Sequence, residues 1–324
     1  MKVLYIGGTG EISQACVERS VEIGHDVTVF NRGQKDEKTP PSVTHIVGDV
    51  HDEETYGGLA EGHFDVICQF LAFGPTAVQR DIDLYSGRCG QYVFVSTASA
   101  YRKSPVGSVI TESTPLENPF WEYSRRKAEC EALLARSADR LASTIVRPSH
   151  TYRTRLPSTV IDGNHLAWRL VRDKPVVVHD DGESIWTVTH ADDFARAFTA
   201  LVGRAECVGN AYNITDDVAY SWNDILRAVG EALEKPPTIH PVPAETLVRR
   251  LPELAGPLLG DKANSMRFDN AKIRSAIGPW KCEVSLTEGV ASAATFVRSR
   301  LEAGYRPDPA VDALIDRMVA DHPL

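Results

Sequence analysis

Hydrophobic residues in the first half of the chain fall in short unbroken runs, separated by longer amphipathic stretches. The runs are KVLYI (2–6), DVTVF (26–30), HIVGDV (45–50), DVICQFLA (65–72), QYVFVSTAS (91–99) and STIVRP (143–148). They are continuous rather than alternating, which is the pattern of strands buried on both faces. Between the first two, ISQACVERSVEIG predicts a helix ended by Gly24. The stretch around Tyr123 predicts another, with Asn118 as its N-cap and Pro119 at its first helical position. Strand–helix–strand repetition implies an α/β fold with a Rossmann-type, doubly wound parallel sheet. After about residue 153 the texture changes: HPVPAETLVRRLPELAGPLLG (240–260) is helical and punctuated by prolines, and GNAYNIT (209–215) reads as one more strand. The expectation is a dinucleotide-binding domain over residues 1–155, rejoined by about 186–215. Residues 156–185 and 216–324 would form a smaller C-terminal substrate-binding domain.

Composition narrows the class. With 324 residues, 43% of them hydrophobic, the chain can bury a sizeable core. A net charge of −9 argues against sequence-independent nucleic-acid binding, which needs basic patches to displace counterions. Six scattered cysteines form no C-x-x-C and lie near no histidine at ligand spacing, so reduced core thiols and no metal site are expected. No run reaches the roughly 18–20 apolar residues of a spanning helix, and no apolar leader precedes the first strand. A cytoplasmic protein without membrane contact is expected.

The candidate chemistry begins at VLYIGGTGEIS. Gly7, Gly10 and Ser13 stand at G-x-x-G-x-x-G spacing between a strand and a helix. The glycines permit a tight turn, and the helix start, with Glu11 and Ile12, offers free N–H groups to a pyrophosphate. A serine in place of the third glycine implies slightly looser helix–strand packing. Where NAD-binding folds carry an acidic residue for the ribose 2′-hydroxyl, this chain has Asn31 followed by Arg32. A 2′-phosphate is therefore tolerable and the cofactor is NAD or NADP, although Arg32 can equally stack on adenine. Asp49 can meet the adenine amino group or be an ordinary strand-end residue. Tyr123 and Lys127 lie one helical turn apart, downstream of a strand that runs into Thr97 and Ser99. Strand carboxyl ends are where doubly wound sheets carry their sites.

On these residues the chain resembles the extended short-chain dehydrogenases/reductases of the NAD-dependent epimerase/dehydratase type. GGTGEI, VGDV, VFVSTASAY, YSRRKAECE, VRPSHTY, HADDFARAF and RFDNAKIRSAIG are similar to family landmarks, in family order. The resemblance implies Tyr123 as general acid/base, Lys127 as its activator and Thr97 as hydroxyl partner, with Ser96 or Ser99 as fallback. It also implies Val50, Ala72 and Pro148 at the cofactor. A free tyrosine has a pKa of about 10, so work near pH 7 needs it lowered to roughly 7, which a nearby ammonium together with the nicotinium charge of the oxidised cofactor could supply.

Three features depart from the family pattern. The segment FGPTAVQRDIDLYSGRCGQ is short and lacks the usual asparagine, as in a branch that includes chloroplast stem-loop RNA-binding proteins. Trp186 and a leucine of PLLGD replace the two arginines that grip a substrate diphosphate. His150 takes the place of a substrate-facing asparagine. Candidate substrate contacts are thus Thr97, Ser99, His150, Arg155 and Trp186, with Trp121 and Trp186 as pocket walls or core aromatics, and Arg153 and Arg155 as anion sites or plain surface charge. The expected function is NAD(P)-dependent epimerisation of a sugar or nucleotide-sugar hydroxyl by transient oxidation to a ketone. Carbonyl reduction, dehydration and a non-catalytic cofactor- or RNA-binding role stay open. A homodimer through a helical face is a further implication of the resemblance.

Overall fold

The structure, a computed structural model, describes residues 1–34, 39–103 and 107–323. In chain order the elements begin β1 (Lys2–Ile6), α1 (Glu11–Glu22), β2 (Asp26–Asn31), β3 (Thr44–Val47), α2 (Glu53–Gly58), β4 (Val66–Gln69), α3 (Pro75–Tyr85) and β5 (Gln91–Val95). They continue with β6 (Val109–Ile110), α4 (Glu122–Arg136), β7 (Ser143–Pro148), β8 (His150–Tyr152), α5 (Gly163–Leu170), β9 (Val176–His179), β10 (Ile185–Trp186), β11 (Val188–His190) and α6 (Ala191–Leu201). There follow β12 (Ala211–Ile214), β13 (Tyr220–Ser221), α7 (Trp222–Leu233), β14 (Ile239–Val242), α8 (Ala244–Arg250) and a π-helix, Ala255–Lys262. The chain closes with β15 (Arg267–Phe268), α9 (Ala271–Ile277), α10 (Leu286–Glu302) and α11 (Pro309–Asp321).

Seven strands form one sheet in the order β3-β2-β1-β4-β5-β7-β12, with every neighbouring pair parallel. Both faces of the inner strands are dry, which explains their unbroken apolar runs; β3 departs from the expectation of burial on both faces, with Val47 62% exposed, because it is the edge of the sheet. Val3 and Tyr5 enter one core with Cys16 of α1 and Phe194 and Phe198 of α6. Leu4 and Ile6 enter the opposite core with Val78 and Ile82 of α3 and Cys130 and Leu134 of α4. The order reverses between β1 and β4, so a crevice opens at the strand carboxyl ends there. Two further clusters lie outside the sheet. One joins Leu166 of α5, Trp222 and Ile225 of α7 and Val290 of α10; the other joins Val242, Leu247, Leu258 and Ile315. Among the described residues no helix is long and apolar enough to cross a membrane.

Some local expectations are corrected. Helix α4 starts at Glu122 with Trp121 as its N-cap, three residues beyond the Asn-Pro signal. Asn118 instead donates from Nδ2 to the carbonyls of Ser99 and Gly260, both at 2.7 Å, so its amide joins distant segments rather than capping a helix. Nor does Ser13 loosen the first turn. Its buried Oγ accepts from the Gly10 N–H at 3.0 Å, and the close packing falls to Gly8, where a Cβ would meet Val29 Cγ2 at 2.7 Å.

Helix α11 is pinned by Asp312, which accepts hydrogen bonds from His165 (3.0 Å), Lys174 (2.5 Å) and the fully buried Arg169. Burial pushes the Asp312 carboxyl up, but the bonds from Lys174, His165 and Arg169 outweigh it and hold the pKa at about 2. A depressed folded pKa gives stability that is present above the unfolded value of about 3.9 and lost as pH falls towards 2. Asp312→Asn should therefore cost about 1–3 kcal/mol at neutral pH, since Arg169 and Lys174 lose one carboxylate but keep Asp316. It should also flatten the acid limb of a urea-midpoint titration between pH 4 and 2. A wild-type limb that persists unchanged in the variant would assign acid sensitivity elsewhere.

Candidate active site

A cleft of about 1280 Å³ crosses the carboxyl ends of β1, β2 and β4, running from Arg32 and Asp49 at one end to Tyr123 and Trp121 at the other. At its centre, Gly7 has φ +82°, and a Cβ there would meet Leu71 Cγ at 2.7 Å. A side chain at this position would be strained and would crowd the crevice wall. Helix α1 starts without a side-chain cap on its N-terminal amides. Glu11 is turned aside. Its carboxylate accepts from the N–H groups of Arg153 (3.1 Å) and Thr154 (2.8 Å) and from the Thr154 hydroxyl (2.5 Å). Burial alone would raise its pKa, but these bonds and Arg155 hold it below the ordinary carboxylate range.

At the end of β2, Asn31 Oδ1 accepts from the Gly33 N–H at 2.6 Å, while its Nδ2 is buried with no acceptor. Arg32 is exposed on the cleft wall. Val50 also lines the cleft and takes a hydrogen bond from Arg80 on its carbonyl. Asp49 Oδ1 accepts from the His51 N–H at 2.9 Å. The glycine turn, the uncapped helix start and the unpartnered Asn31 donor together fit a dinucleotide. Gly7, Gly10, Ile12, Asn31, Arg32, Asp49 and Val50 all line the crevice that would hold it.

At the other end, Lys127 is 2% exposed and donates from Nζ to the carbonyls of Val95 (2.6 Å) and Ala72 (2.9 Å), at the ends of β5 and β4. Its ammonium also lies 4.6 Å from the centre of Phe94 and 5.0 Å from that of Phe73. Burial pushes the Lys127 pKa down to about 8, with Cys130 and Glu131 partly opposing. Burial pushes the Tyr123 phenol up to about 12; the Thr97 side chain pulls it back in part and Asp261 adds to the rise. Two of the three ammonium N–H groups of Lys127 are taken by backbone carbonyls, and burial dominates at the phenol. Tyr123 is therefore a protonated acid at neutral pH. Thr97 Oγ1 lies 2.9 Å from Ser99 Oγ, which in turn meets Ser124 Oγ at 2.7 Å. That chain of hydroxyls joins β5 to α4.

Other expected contacts are placed elsewhere. Trp186 is 1% exposed and packs edge-on against Phe268 in the core outside the sheet, because the β10–β13 pairing turns its ring inward, away from the cleft. His150 faces Trp222 edge-on at 6.0 Å, and burial, with Lys262 adding, lowers its pKa to about 3, so it stays neutral. Arg153 is neutralised by Glu18 (2.5 Å) and Asp192 (2.9 Å), and Arg155 stands 3.8 Å from Glu11 with most of its side chain exposed. Pro148 is buried in the β7–β12 pairing, and Ala72 contributes its carbonyl to Lys127.

Sequence reasoning missed the mouth of the cleft. Phe73 and Phe120, 52% and 58% exposed, line it beside Trp121, whose ring centre is 4.9 Å from that of Tyr123. Trp121 lies against Gly256 and Gly260. Two glycines four apart in AGPLLG place a bare stripe on one helical face, and that spacing was the available signal. Behind Trp121, Lys103 Nζ lies 3.4 Å from Asp261 Oδ1, and burial lifts the Asp261 carboxyl to about 6 against the pull of Lys103 and Lys262.

Residues 3–215 match the model of the NAD dependent epimerase/dehydratase family. The chain belongs to that family. NAD-dependent epimerases, dehydratases and reductases are among its members and neighbours, and this chain is an enzyme of that family; it is also similar to the chloroplast stem-loop binding protein of 41 kDa b of Arabidopsis thaliana, 25% identical over 75% of this chain and 67% of that protein. It is similar to UDP-glucose 4-epimerase of Mycolicibacterium smegmatis, 24% identical over 93% of this chain and 99% of that protein. It is also similar to 2-alkyl-3-oxoalkanoate reductase of Stenotrophomonas maltophilia, 28% identical over 71% of this chain and 76% of that one. In fold it resembles UDP-glucose 4-epimerase of Thermus thermophilus, solved as a complex with NAD. The TM-score is 0.74 at 21% identity, covering 92% of this chain and 99% of that chain.

Proposed function

We propose that the enzyme catalyses reversible hydride and proton transfer at a hydroxyl- or ketone-bearing carbon of a sugar-type substrate, with epimerisation as the net reaction. The observation that carries this reading is the arrangement at one cleft end: Tyr123 and Lys127 on successive turns of α4, beside Thr97 at the end of β5. When bound, the nicotinamide ring would accept and return the hydride. Tyr123 would move the proton at the substrate oxygen, giving it to a ketone or taking it from an alcohol. Thr97 would hydrogen-bond that oxygen and fix its distance from the phenol. Lys127, tied to two strand ends, would hold the floor of the site and keep one N–H for a ribose hydroxyl. The match to an epimerase along 93% of the chain supports the net reaction.

Net reduction of a ketone is the second reading, and the mouth of the cleft favours it. Exposed Phe73 and Phe120 offer apolar walls to a substrate that carries no diphosphate. A single assay separates the two. The purified enzyme is incubated with UDP-glucose, and separately with a small ketone and reduced cofactor. Conversion of UDP-glucose to its C4 epimer, without net cofactor turnover, is the expected outcome. Stoichiometric cofactor oxidation with the ketone, and no epimer, would replace the first reading by the second.

A further inference from the structure

The start of α1 sets two charges against each other. No side chain caps its first N–H groups, and they lie beside the cleft, where a pyrophosphate would be attracted to them. The first helical residue is nevertheless an acid, Glu11, which lines the same cleft. Left loose, its carboxylate would be drawn to those N–H groups and would repel a phosphate. We propose that the loop 153–155, braced by Arg300 of α10, holds the Glu11 carboxylate out of the pyrophosphate's place, so that Thr154 and Arg300 are positioning residues for the cofactor although neither lines the cleft. This rests on the reading of the cleft as a dinucleotide site and is independent of the net reaction.

Both oxygens of Glu11 are held from one side. Oε2 accepts from the N–H groups of Arg153 (3.1 Å) and Thr154 (2.8 Å), and Oε1 accepts from the Thr154 hydroxyl (2.5 Å). Arg155 Nε stands 3.8 Å from Oε1. All these donors belong to the loop that joins β8 to α5, so the side chain is drawn towards that loop. The bonds outweigh burial and keep the group ionised at neutral pH. A full negative charge is therefore parked next to the place where a second one would bind.

The loop is held in turn from behind. Arg300 donates from Nη1 to the Thr154 carbonyl (2.9 Å) and to Asn164 Oδ1 (3.2 Å), and from Nη2 to the Thr154 hydroxyl (3.3 Å). A guanidinium only donates and an ionised carboxylate only accepts. The Thr154 hydroxyl between them must receive from Arg300 and give its proton to Glu11. Arg153 is anchored separately, to Glu18 on α1 at 2.5 Å and to Asp192 on α6 at 2.9 Å. Helix α10 packs with α5 and α7 in a core outside the sheet. A brace thus runs from that core through Thr154 to the first residue of the dinucleotide helix.

Calorimetric titration of the purified full chain with NAD⁺ and with NADP⁺ tests this without a substrate. Thr154→Val removes the hydroxyl and keeps the loop N–H groups and the side-chain shape. Arg300→Met removes the guanidinium and keeps an apolar stem. Each should weaken the better-bound dinucleotide by about fivefold or more at low salt, and the loss should shrink to about twofold or less at high salt, where the repulsion is screened. Glu11→Gln should bind that dinucleotide as tightly as the wild-type chain or more tightly. In the Glu11→Gln background neither change should cost more than about twofold, which closes the cycle. A fivefold loss that persists with Glu11→Gln would assign the effect to the shape of the loop and overturn the brace. So would a Thr154→Val chain of unchanged affinity, or a Glu11→Gln chain that binds more weakly. If Arg300→Met does not fold, the Thr154→Val cycle decides alone. A wild-type chain that binds neither dinucleotide would instead remove the cleft reading itself, and the brace with it.

Discussion

Replacing Tyr123 with phenylalanine is expected to lower turnover by about 10²–10⁴-fold, the range for a positioned proton donor, and to leave dinucleotide affinity unchanged. The substitution removes one oxygen and keeps the ring. Contacts with Trp121 at 4.9 Å and Phe73 at 6.3 Å between ring centres therefore survive, and the fold of α4 with them. The wild-type rate of ketone reduction should be flat up to about pH 8 and fall above it. Lys127 has its pKa lowered to about 8, so its charge disappears as pH rises through that value, well before the phenol ionises. Rates measured from pH 6 to 10 for both proteins test this. A loss under tenfold in the variant would mean that the proton reaches the substrate by another route, and Tyr123 would then be part of the wall.

The second large effect is on stability. Arg147 and Glu131 form a buried pair, with NH2–Oε2 at 2.5 Å and both side chains under a tenth exposed. Arg147 also donates to Glu131 through Nε and to the Tyr101 hydroxyl at 2.7 Å, and Ser96 completes the carboxylate at 2.5 Å. The pair fastens α4 to β7, so it holds the helix that carries Tyr123 and Lys127. Arg147→Ala leaves the Glu131 charge buried with a hydroxyl for company, and should cost about 3–5 kcal/mol. The double change Arg147→Met with Glu131→Leu should recover most of that, because an apolar pair needs no desolvation. Urea unfolding of the singles and the double closes the cycle. A double variant as unstable as Arg147→Ala would show that the cost comes from the lost bonds to Tyr101 and the Glu112 carbonyl rather than from the stranded charge.

Much of the sheet was legible because its strands answer to a local rule: a strand dry on both faces has to be apolar throughout, and KVLYI, DVTVF and STIVRP are nearly so. The glycine turn was legible for a similar reason, since Gly7 needs a positive φ and sits between a strand and a helix. What failed depended on distant partners. Asn118 carries every local mark of a cap, but its amide is claimed by Ser99 and Gly260. Trp186 was read in the place of an arginine, as a pocket wall or a core aromatic, and the pairing of β10 with Tyr220 and Ser221 decides for the core. The tyrosine–lysine spacing gave the pair and not its electrostatics. Two carbonyls, one at the end of each strand, take the ammonium, and no spacing along α4 announces them.

The seat of Trp121 on Gly256 and Gly260 bears on how such an enzyme can change. Gly256 cannot gain a carbon without displacing the indole, and a carbon on Gly260 would press on the Trp121 Cβ at 3.0 Å; Trp121 is the residue from which the reactive helix departs. Drift in the helix 255–262 is thereby channelled. Positions facing the cleft, Pro257 on the helix and Glu253 in the turn before it, can vary and retune what is admitted, while the two bare positions stay fixed. A lineage could exchange one substrate for another many times without moving its phenol.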